Sequence, residues 1–170
     1  MPLYRNGAFV ADAWRSIEEG EDIPPAGHVI VPLDWWLAER DAWNGSHAPL
    51  GLRVEPGTPV ESFAGDLPRF SLIALNFPKF GDGRAFSLAA LLRTRYGFTG
   101  ELRAVGEVLF DQIQHMLRSG FDTFEITDGP TERALRAGKK PGVEHFYQPA
   151  RGGLPETPAG TRPWLRRPVG

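Results

Sequence analysis

Apolar runs separated by turn residues divide this sequence into short strands and helices. The first two runs lie on either side of Asn6-Gly7, a pair typical of a two-residue hairpin turn because both turn positions take positive φ. Residues 3–10 are therefore predicted to form a β-hairpin. The acidic, proline-containing stretch from Ala11 to Gly27 is predicted to be an exposed connection with few core contacts.

The middle of the chain alternates apolar strands with amphipathic helices. The predicted strands lie at 29–31, 52–55, 71–77, 101–105 and 121–127. A short helix follows the first strand, and Asp34 is expected to cap its start. Two longer helices, at 83–96 and 107–119, end at Gly97 and Gly120, where a left-handed C-terminal cap is expected. Strands and helices that alternate in this way predict a parallel sheet with right-handed crossovers.

The predicted fold is α/β, a single domain with a mainly parallel central sheet flanked by helices, plus the N-terminal β-hairpin. A length of 170 residues agrees with one domain. We predict a hairpin and connection at 1–27, the α/β domain at 28–149, with a last strand near 143–147, and an extended Gly-, Pro- and Arg-rich tail at 150–170. Trp164, flanked by arginines in that tail, is a candidate anchor for docking on another protein or on its own domain.

Composition narrows the classes of function. With 19 Lys and Arg against 21 Asp and Glu the net charge is −2, so no global field favours nucleic acid or an acidic membrane. The absence of Cys excludes disulfides, thiolate-bound iron–sulfur clusters and a thiol nucleophile. The chain shows neither a signal-peptide pattern nor an apolar run near the roughly 18 residues of a membrane span, so we expect a cytoplasmic protein. The four His residues lack metal-ligand spacing, and no metal site is predicted.

The candidate binding residues lie in the loops that lead from strands into helices. The carboxyl ends of parallel strands meet at one edge of a sheet, and ligands bind there. Three loops are expected to meet at that edge, at 76–84, 106–107 and 127–131. This edge is the predicted binding site.

The loop FPKFGDGRAFS, which starts at Phe77, carries groups suited to a small anion. Lys79 and Arg84 supply positive charge, and the helix N–H groups at Gly83 and the backbone at Gly81 allow close approach. The alternative is an ordinary helix start that Asp82 caps, with Arg84 paired to an acid. The Gly81-x-Gly83 spacing is only part of a dinucleotide fingerprint.

Arg103 lies inside a strand that is predicted to be buried. Its guanidinium needs an acidic partner, and Glu107, Asp111 or Asp122 is expected to supply one. Arg103 is therefore either half of a structural ion pair or a further anion candidate. The supporting polar candidates are Asp82, Ser87, Asp111 and Gln112.

The region from about residue 30 to 150 resembles a known bacterial family. Its most recognisable pieces are FPKF at 77–80, DGR at 82–84, Ser87, Leu92-Arg93, GELRAVG at 100–106, Asp111-Gln112 and GFD at 120–122. Together they resemble domain-of-unknown-function family 934, whose members are described as probable oxidoreductases involved in sulfite reduction. The resemblance implies a link to assimilatory sulfite reduction, with sulfite reductase or another sulfur-assimilation enzyme as the partner, and it supplies no catalytic residues.

Three functions stay open at this point. The first is an accessory protein of sulfite reduction that binds a partner enzyme, a small anion or both at the strand-end edge. The second is an oxidoreductase with a bound nucleotide or flavin cofactor. The third is a structural subunit without a small-molecule ligand, which docks through Trp164. The sequence identifies neither a cofactor nor an oligomeric state.

Overall fold

The computed structural model describes residues 1–22, 24, 27–43, 49–79, 81–142, 145–147 and 156–168. Its strands are β1 (Leu3–Arg5), β2 (Ala8–Val10), β3 (Trp14–Ser16), β4 (His28–Pro32), β5 (Leu50–Val54), β6 (Phe70–Phe77), β7 (Glu101–Gly106), β8 (Thr123–Glu125), β9 (Glu156–Ala159) and β10 (Arg162–Pro168). Its α-helices are α1 (Leu33–Ala38), α2 (Arg84–Thr94), α3 (Ile113–Ser119) and α4 (Gly129–Arg136). Further 3₁₀ helices lie at Arg40–Trp43, Val60–Ser62 and Ala64–Arg69.

Eight strands form one sheet in the order β2-β1-β8-β7-β6-β5-β4-β3. Strands β3 to β8 pair in parallel and lie in sequence order, whereas β1 runs antiparallel to both β2 and β8. Because every right-handed crossover steps in the same direction, the connections lie on one face of the sheet, as in (β/α)8 barrels. The predicted α/β fold with a mainly parallel sheet and an N-terminal hairpin is confirmed.

The connection between β2 and β3 requires the sheet to curl. These strands lie at opposite ends of the strand order, yet only residues 11–13 join them. In a flat sheet with strands about 4.8 Å apart, the two ends of the order would be separated by roughly 33 Å. Four Cα–Cα steps of about 3.8 Å span at most about 15 Å. The sheet therefore curls until its two edges approach each other, which encloses a concave inner face.

The two faces of the curled sheet bury two separate apolar clusters. The outer face packs against the helices through residues such as Val31, Leu52, Leu75 and Ala104. The inner face has a much smaller cluster of Ile30, Leu72 and Ala74, against which Trp14 and Val105 pack. Successive residues of a strand point to opposite faces, so each parallel strand contributes to both clusters. The inner face is thus partly free to carry polar side chains.

The N-terminal connection is more ordered than its composition indicates. Strand β3 pairs in parallel with β4, and Ile17 directly after it is fully buried. The connection from residue 11 to 27 is exposed over most of its described length, as predicted, but it also contains a strand and one buried residue that were not predicted. Ile17 adds to the pairing at this edge of the sheet, because its side chain is buried and its amide donates to the carbonyl of Ile30.

Two helix starts differ from the prediction. Helix α1 begins directly after β4 with Pro32 as N-cap, so Asp34 lies within the first turn and does not cap the helix. Helix α3 begins at Ile113, not at residue 107. The reason is Gly106, whose positive φ of 89° turns the chain so that the amide of Glu107 donates to the carbonyl of Phe77.

The chain near the C-terminus forms a hairpin instead of the extended tail that composition predicts. Strand β10 pairs antiparallel with β9, and a backbone bridge joins Phe146 to Arg166. The side chain of Arg118 in α3 donates to Glu156 and lies 4.0 Å from the ring centre of Phe146. These contacts attach the hairpin to the main domain. The first two residues of the strand predicted at 143–147 lie outside the described residues.

Candidate functional site at the mouth of the curled sheet

A cavity of about 460 Å³ opens at the carboxyl ends of the parallel strands. We call it the mouth cavity. Its apolar floor is formed by Ile30, Ala74 and Val105. Its polar lining consists of Ser16, Glu18, Arg53, Glu55, Asn76, Glu125 and Thr127. A concave site at the carboxyl ends of parallel strands is where enzymes and binding proteins with this winding hold their ligands.

Strand periodicity places these side chains on the inner face. Ala74 and Asn76 are two residues apart in β6, so both point inward and the polar one lies nearer the mouth. Arg53 and Glu55 have the same spacing at the end of β5. In β6 the small residue thus lies deep in the curl and the polar residue lies at the rim.

Arg53 makes a two-pronged ion pair across the rim. Its Nη1 and Nη2 donate to Oε1 and Oε2 of Glu18 at 2.8 Å and 2.9 Å. The bond from Arg53 lowers the pKa of Glu18 below its usual range, and the same bond raises the pKa of Arg53. Both groups are therefore charged at neutral pH, and the pair connects the residue after β3 to β5.

A second polar pair at the mouth joins the ends of β5 and β6. Asn76 donates through Nδ2 to Oε2 of Glu55 at 2.8 Å. Gly106 lies next to this pair, and a Cβ there would come within 2.6 Å of Oδ1 of Asn76 and 2.5 Å of the carbonyl oxygen of Phe77. Thr127 donates through Oγ1 to the carbonyl of Gly106 at 3.1 Å. The ends of β5, β6, β7 and β8 are thereby held together, and the three predicted loops meet as expected.

The predicted anion loop has a local ion pair at the start of α2. Arg84 donates to both carboxylate oxygens of Asp82, at 2.9 Å and 2.6 Å, and its backbone amide also donates to Asp82. These bonds lower the pKa of Asp82 to about 2. Gly83 is the N-cap position. The arrangement matches the alternative in which Arg84 pairs with an acid at an ordinary helix start.

Arg103 is buried at the other end of the inner face. Its guanidinium is 1% exposed and donates to Asp12 at 2.7 Å and to Glu101 at 2.9 Å. The expected partners Glu107, Asp111 and Asp122 were wrong; Asp122 instead accepts from Arg93. Sequence distance explains the error, because Asp12 is 91 positions away and reaches Arg103 only once the sheet has curled.

The remaining predicted residues are distributed over the outer surface. Lys79, Gly81, Ser87 and Asp111 are exposed, and Gln112 is half-buried. Trp164 is 60% exposed on β10. Within the described part of the chain, the mouth cavity has none of the five anion candidates in its lining; these are Lys79, Gly81, Gly83, Arg84 and Arg103.

Sequence reasoning missed most of the polar lining. The sequence does contain a pattern that indicates this lining: two polar residues at alternate positions where an apolar strand ends. Examples are Arg53 with Glu55 and Glu125 with Thr127. A strand buried on both faces reads as a continuous apolar run, so such a pair marks an open inner face. Recognising that pattern would have identified the rim.

The described residues lack both a cluster of metal ligands and a helix that could span a membrane. They contain no group of three or more His, Cys, Asp and Glu side chains that could hold a metal ion. Their helices include none with the length and apolar character needed to cross a membrane.

Comparison with known proteins identifies a family. No curated protein and no solved structure gives a significant match to the chain. A family model described as "Bacterial protein of unknown function (DUF934)" matches residues 51–156, which is more than half of the 170 residues. The match includes β5 to β8 and α2 to α4, and so most of the mouth cavity. The chain therefore belongs to the DUF934 family of bacterial proteins of unknown function.

Proposed function

We propose that this protein is an accessory protein of bacterial sulfite reduction that binds a small polar molecule in the mouth cavity. The observation that supports the binding part is the cavity itself, with its apolar floor and polar rim at the carboxyl ends of parallel strands. A volume of about 460 Å³ is within the range of roughly 300–1,000 Å³ typical of small-molecule sites. The partner enzyme in this proposal is sulfite reductase.

The link to sulfite reduction rests on the resemblance of segments such as FPKF and GELRAVG to a family described in that context. One of these segments reaches the cavity, because Val105 and Gly106 of GELRAVG line it. Gly106 ends GELRAVG and contacts Asn76, and Arg93 donates to Asp122 and to the carbonyls of Phe98 and Gly100. Gly106 thus lies at the carboxyl ends of the strands, where the proposed site is, whereas the bonds of Arg93 join the amino ends of β7 and β8.

Growth on different sulfur sources tests this proposal. A strain that lacks the gene is expected to grow poorly on sulfate or sulfite and normally on cysteine, and the wild-type gene restores growth. Asn76→Ala is expected not to restore it, because the variant removes the donor to Glu55 and an acceptor in the cavity. Glu19→Gln, at an exposed position next to the rim, is the control and restores growth.

Two results would contradict the proposal. Growth of the deletion strain on sulfate at the wild-type rate would remove the link to sulfite reduction. Full restoration by a well-expressed Asn76→Ala protein would show that the cavity is not needed for that role.

A second candidate, a structural subunit that docks through the hairpin, is favoured by one observation. Trp164 is 60% exposed although the hairpin around it is fixed by the ion pair of Arg118 with Glu156. A large aromatic side chain held outward on an ordered element is typical of an interface anchor. Trp164→Ala is then expected to abolish co-purification of sulfite reductase, whereas Val10→Ala, at another exposed apolar position, leaves it unchanged. Co-purification that survives Trp164→Ala would exclude this candidate.

A further inference from the structure

The chemistry of the mouth cavity restricts the class of ligand, an inference that rests on the small-molecule site proposed above. We propose that the mouth cavity takes an organic cation, a small molecule with an apolar body and a protonated amino group. This differs from the small anion that the loop at 77–87 suggests from sequence.

The charges of the lining favour a cation. Three carboxylates, those of Glu18, Glu55 and Glu125, face the guanidinium of Arg53 and the α-ammonium group of Met1, so the lining has one negative charge in excess. A concave surface with low-dielectric walls concentrates the field of such groups and attracts ligands of opposite charge. An inorganic anion such as sulfite would enter against this field.

The hydrogen-bonding groups of the lining also favour a cation. Both Nη atoms of Arg53 donate to Glu18, and Nδ2 of Asn76 donates to Glu55. The side-chain nitrogens of Arg53 and Asn76 are thus directed at groups of the protein. A carboxylate accepts up to about four hydrogen bonds, so Glu55 retains acceptor capacity beyond its bond from Asn76. A ligand that donates hydrogen bonds is matched by this lining.

The floor requires an apolar part of the ligand. Ile30, Ala74 and Val105 form one continuous apolar surface below the rim. A ligand that places a ring or an alkyl chain on this surface and its amino group toward Glu55 and Glu125 satisfies both regions. Sulfite and sulfate have no apolar part and are much smaller than a cavity of about 460 Å³.

Calorimetric titration with matched probes tests the proposal. The probes are 2-phenylethylamine, 2-phenylethanol and phenylacetate, which are similar in size and differ in charge, together with sulfite and sulfate. The amine is expected to bind the unchanged protein at least about tenfold more tightly than the neutral and anionic probes, which corresponds to one charge-assisted hydrogen bond. Glu55→Gln and Glu125→Gln are each expected to weaken amine binding by about tenfold, and Glu19→Gln leaves it unchanged.

The outcomes separate failure of this inference from failure of the proposed site. Binding of phenylacetate, sulfite or sulfate that is lost in Arg53→Ala would overturn the cation proposal and keep a small-molecule site at the mouth. Amine binding that neither glutamine variant changes would overturn it as well, by placing the amine elsewhere. Absence of binding by every probe would overturn both. The comparison of probes uses the unchanged protein and does not depend on how the variants fold.

Discussion

Arg103 shows how a single buried charge can hold the curled sheet together. It lies in β7 with its guanidinium 1% exposed, and it donates to Asp12 in the link between β2 and β3 and to Glu101 in its own strand. Thr123 in β8 also donates to Glu101, at 2.7 Å. The network therefore connects the link that closes the curl to two neighbouring strands.

Removal of this guanidinium is expected to destabilise the fold. Arg103→Ala leaves Asp12 and Glu101 close together without their partner, and loss of one member of a buried ion pair costs about 3 kcal/mol or more in the free energy of unfolding. The control is Arg15→Ala, because Arg15 and Glu21 form an exposed pair worth less than about 1 kcal/mol. Urea denaturation measures both. Equal losses in the two variants would contradict the structural role of Arg103.

Gly106 is the second residue on which the mouth depends. Its φ is +89°, and a Cβ there would contact the carbonyl oxygen of Phe77 at 2.5 Å. Because that atom is backbone of the adjacent strand, Gly106→Ala is expected to lower the free energy of unfolding by about 2 kcal/mol. Gly65→Ala is the matched control, since a Cβ at Gly65 has nothing within 4 Å. A melting temperature for Gly106→Ala equal to that of the control would show that the strand ends can adjust.

At the scale of elements, the first turn of α4 is bound to the segment before α3. Asp128 is the N-cap and accepts from the amide of Thr131 at 2.8 Å. The buried hydroxyl of Thr131 in turn accepts from the amide of Phe110, before α3. The hydrogen bonds from Thr131 lower the pKa of Asp128. The charged cap therefore stabilises the folded state.

The cap gives a testable pH dependence. A lowered folded pKa means that the stabilisation is fully present above the unfolded pKa of about 3.9 and is lost as the pH falls through the folded value. Asp128→Ala is expected to cost about 1 kcal/mol at pH 7. Asp128→Asn keeps an acceptor, so it costs less and reduces the loss of stability between pH 5 and pH 3. An unchanged acid dependence in Asp128→Asn would exclude Asp128 as the titrating group.

Elements with a strong local signal were predicted well. The hairpin around Asn6-Gly7 and the left-handed glycines at 97 and 120 follow from backbone preferences that act within a few residues. Strand β3 was missed because it is short and lies at an edge of the sheet, where it pairs with His28 to Ile30. The C-terminal hairpin lies outside the main sheet, and its Gly-, Pro- and Arg-rich composition does not reveal that β10 pairs with the neighbouring β9.

For the whole molecule, the meeting of three loops at one edge of the sheet was predictable, and the residues that line the mouth cavity were not. Parallel strands that alternate with helices place three loops at one edge, and Asn76, Gly106 and Thr127 do meet there. The curl of the sheet determines which side chains line the cavity. So does the register of the six parallel strands, which decides which residues point to the inner face. The three-residue link at 11–13 fixes both, and its importance emerges only once β2 and β3 are known to lie at opposite ends of the sheet.

The central claim, that the mouth cavity is the ligand site, is tested most directly by nuclear magnetic resonance of backbone amides during titration with 2-phenylethylamine. The account predicts shifts concentrated at the amides of Asn76, Gly106 and Thr127, which lie at or just after the ends of three strands and share the cavity. Shifts concentrated at residues 79–84 or in the hairpin at 156–168, with these three amides unchanged, would contradict it.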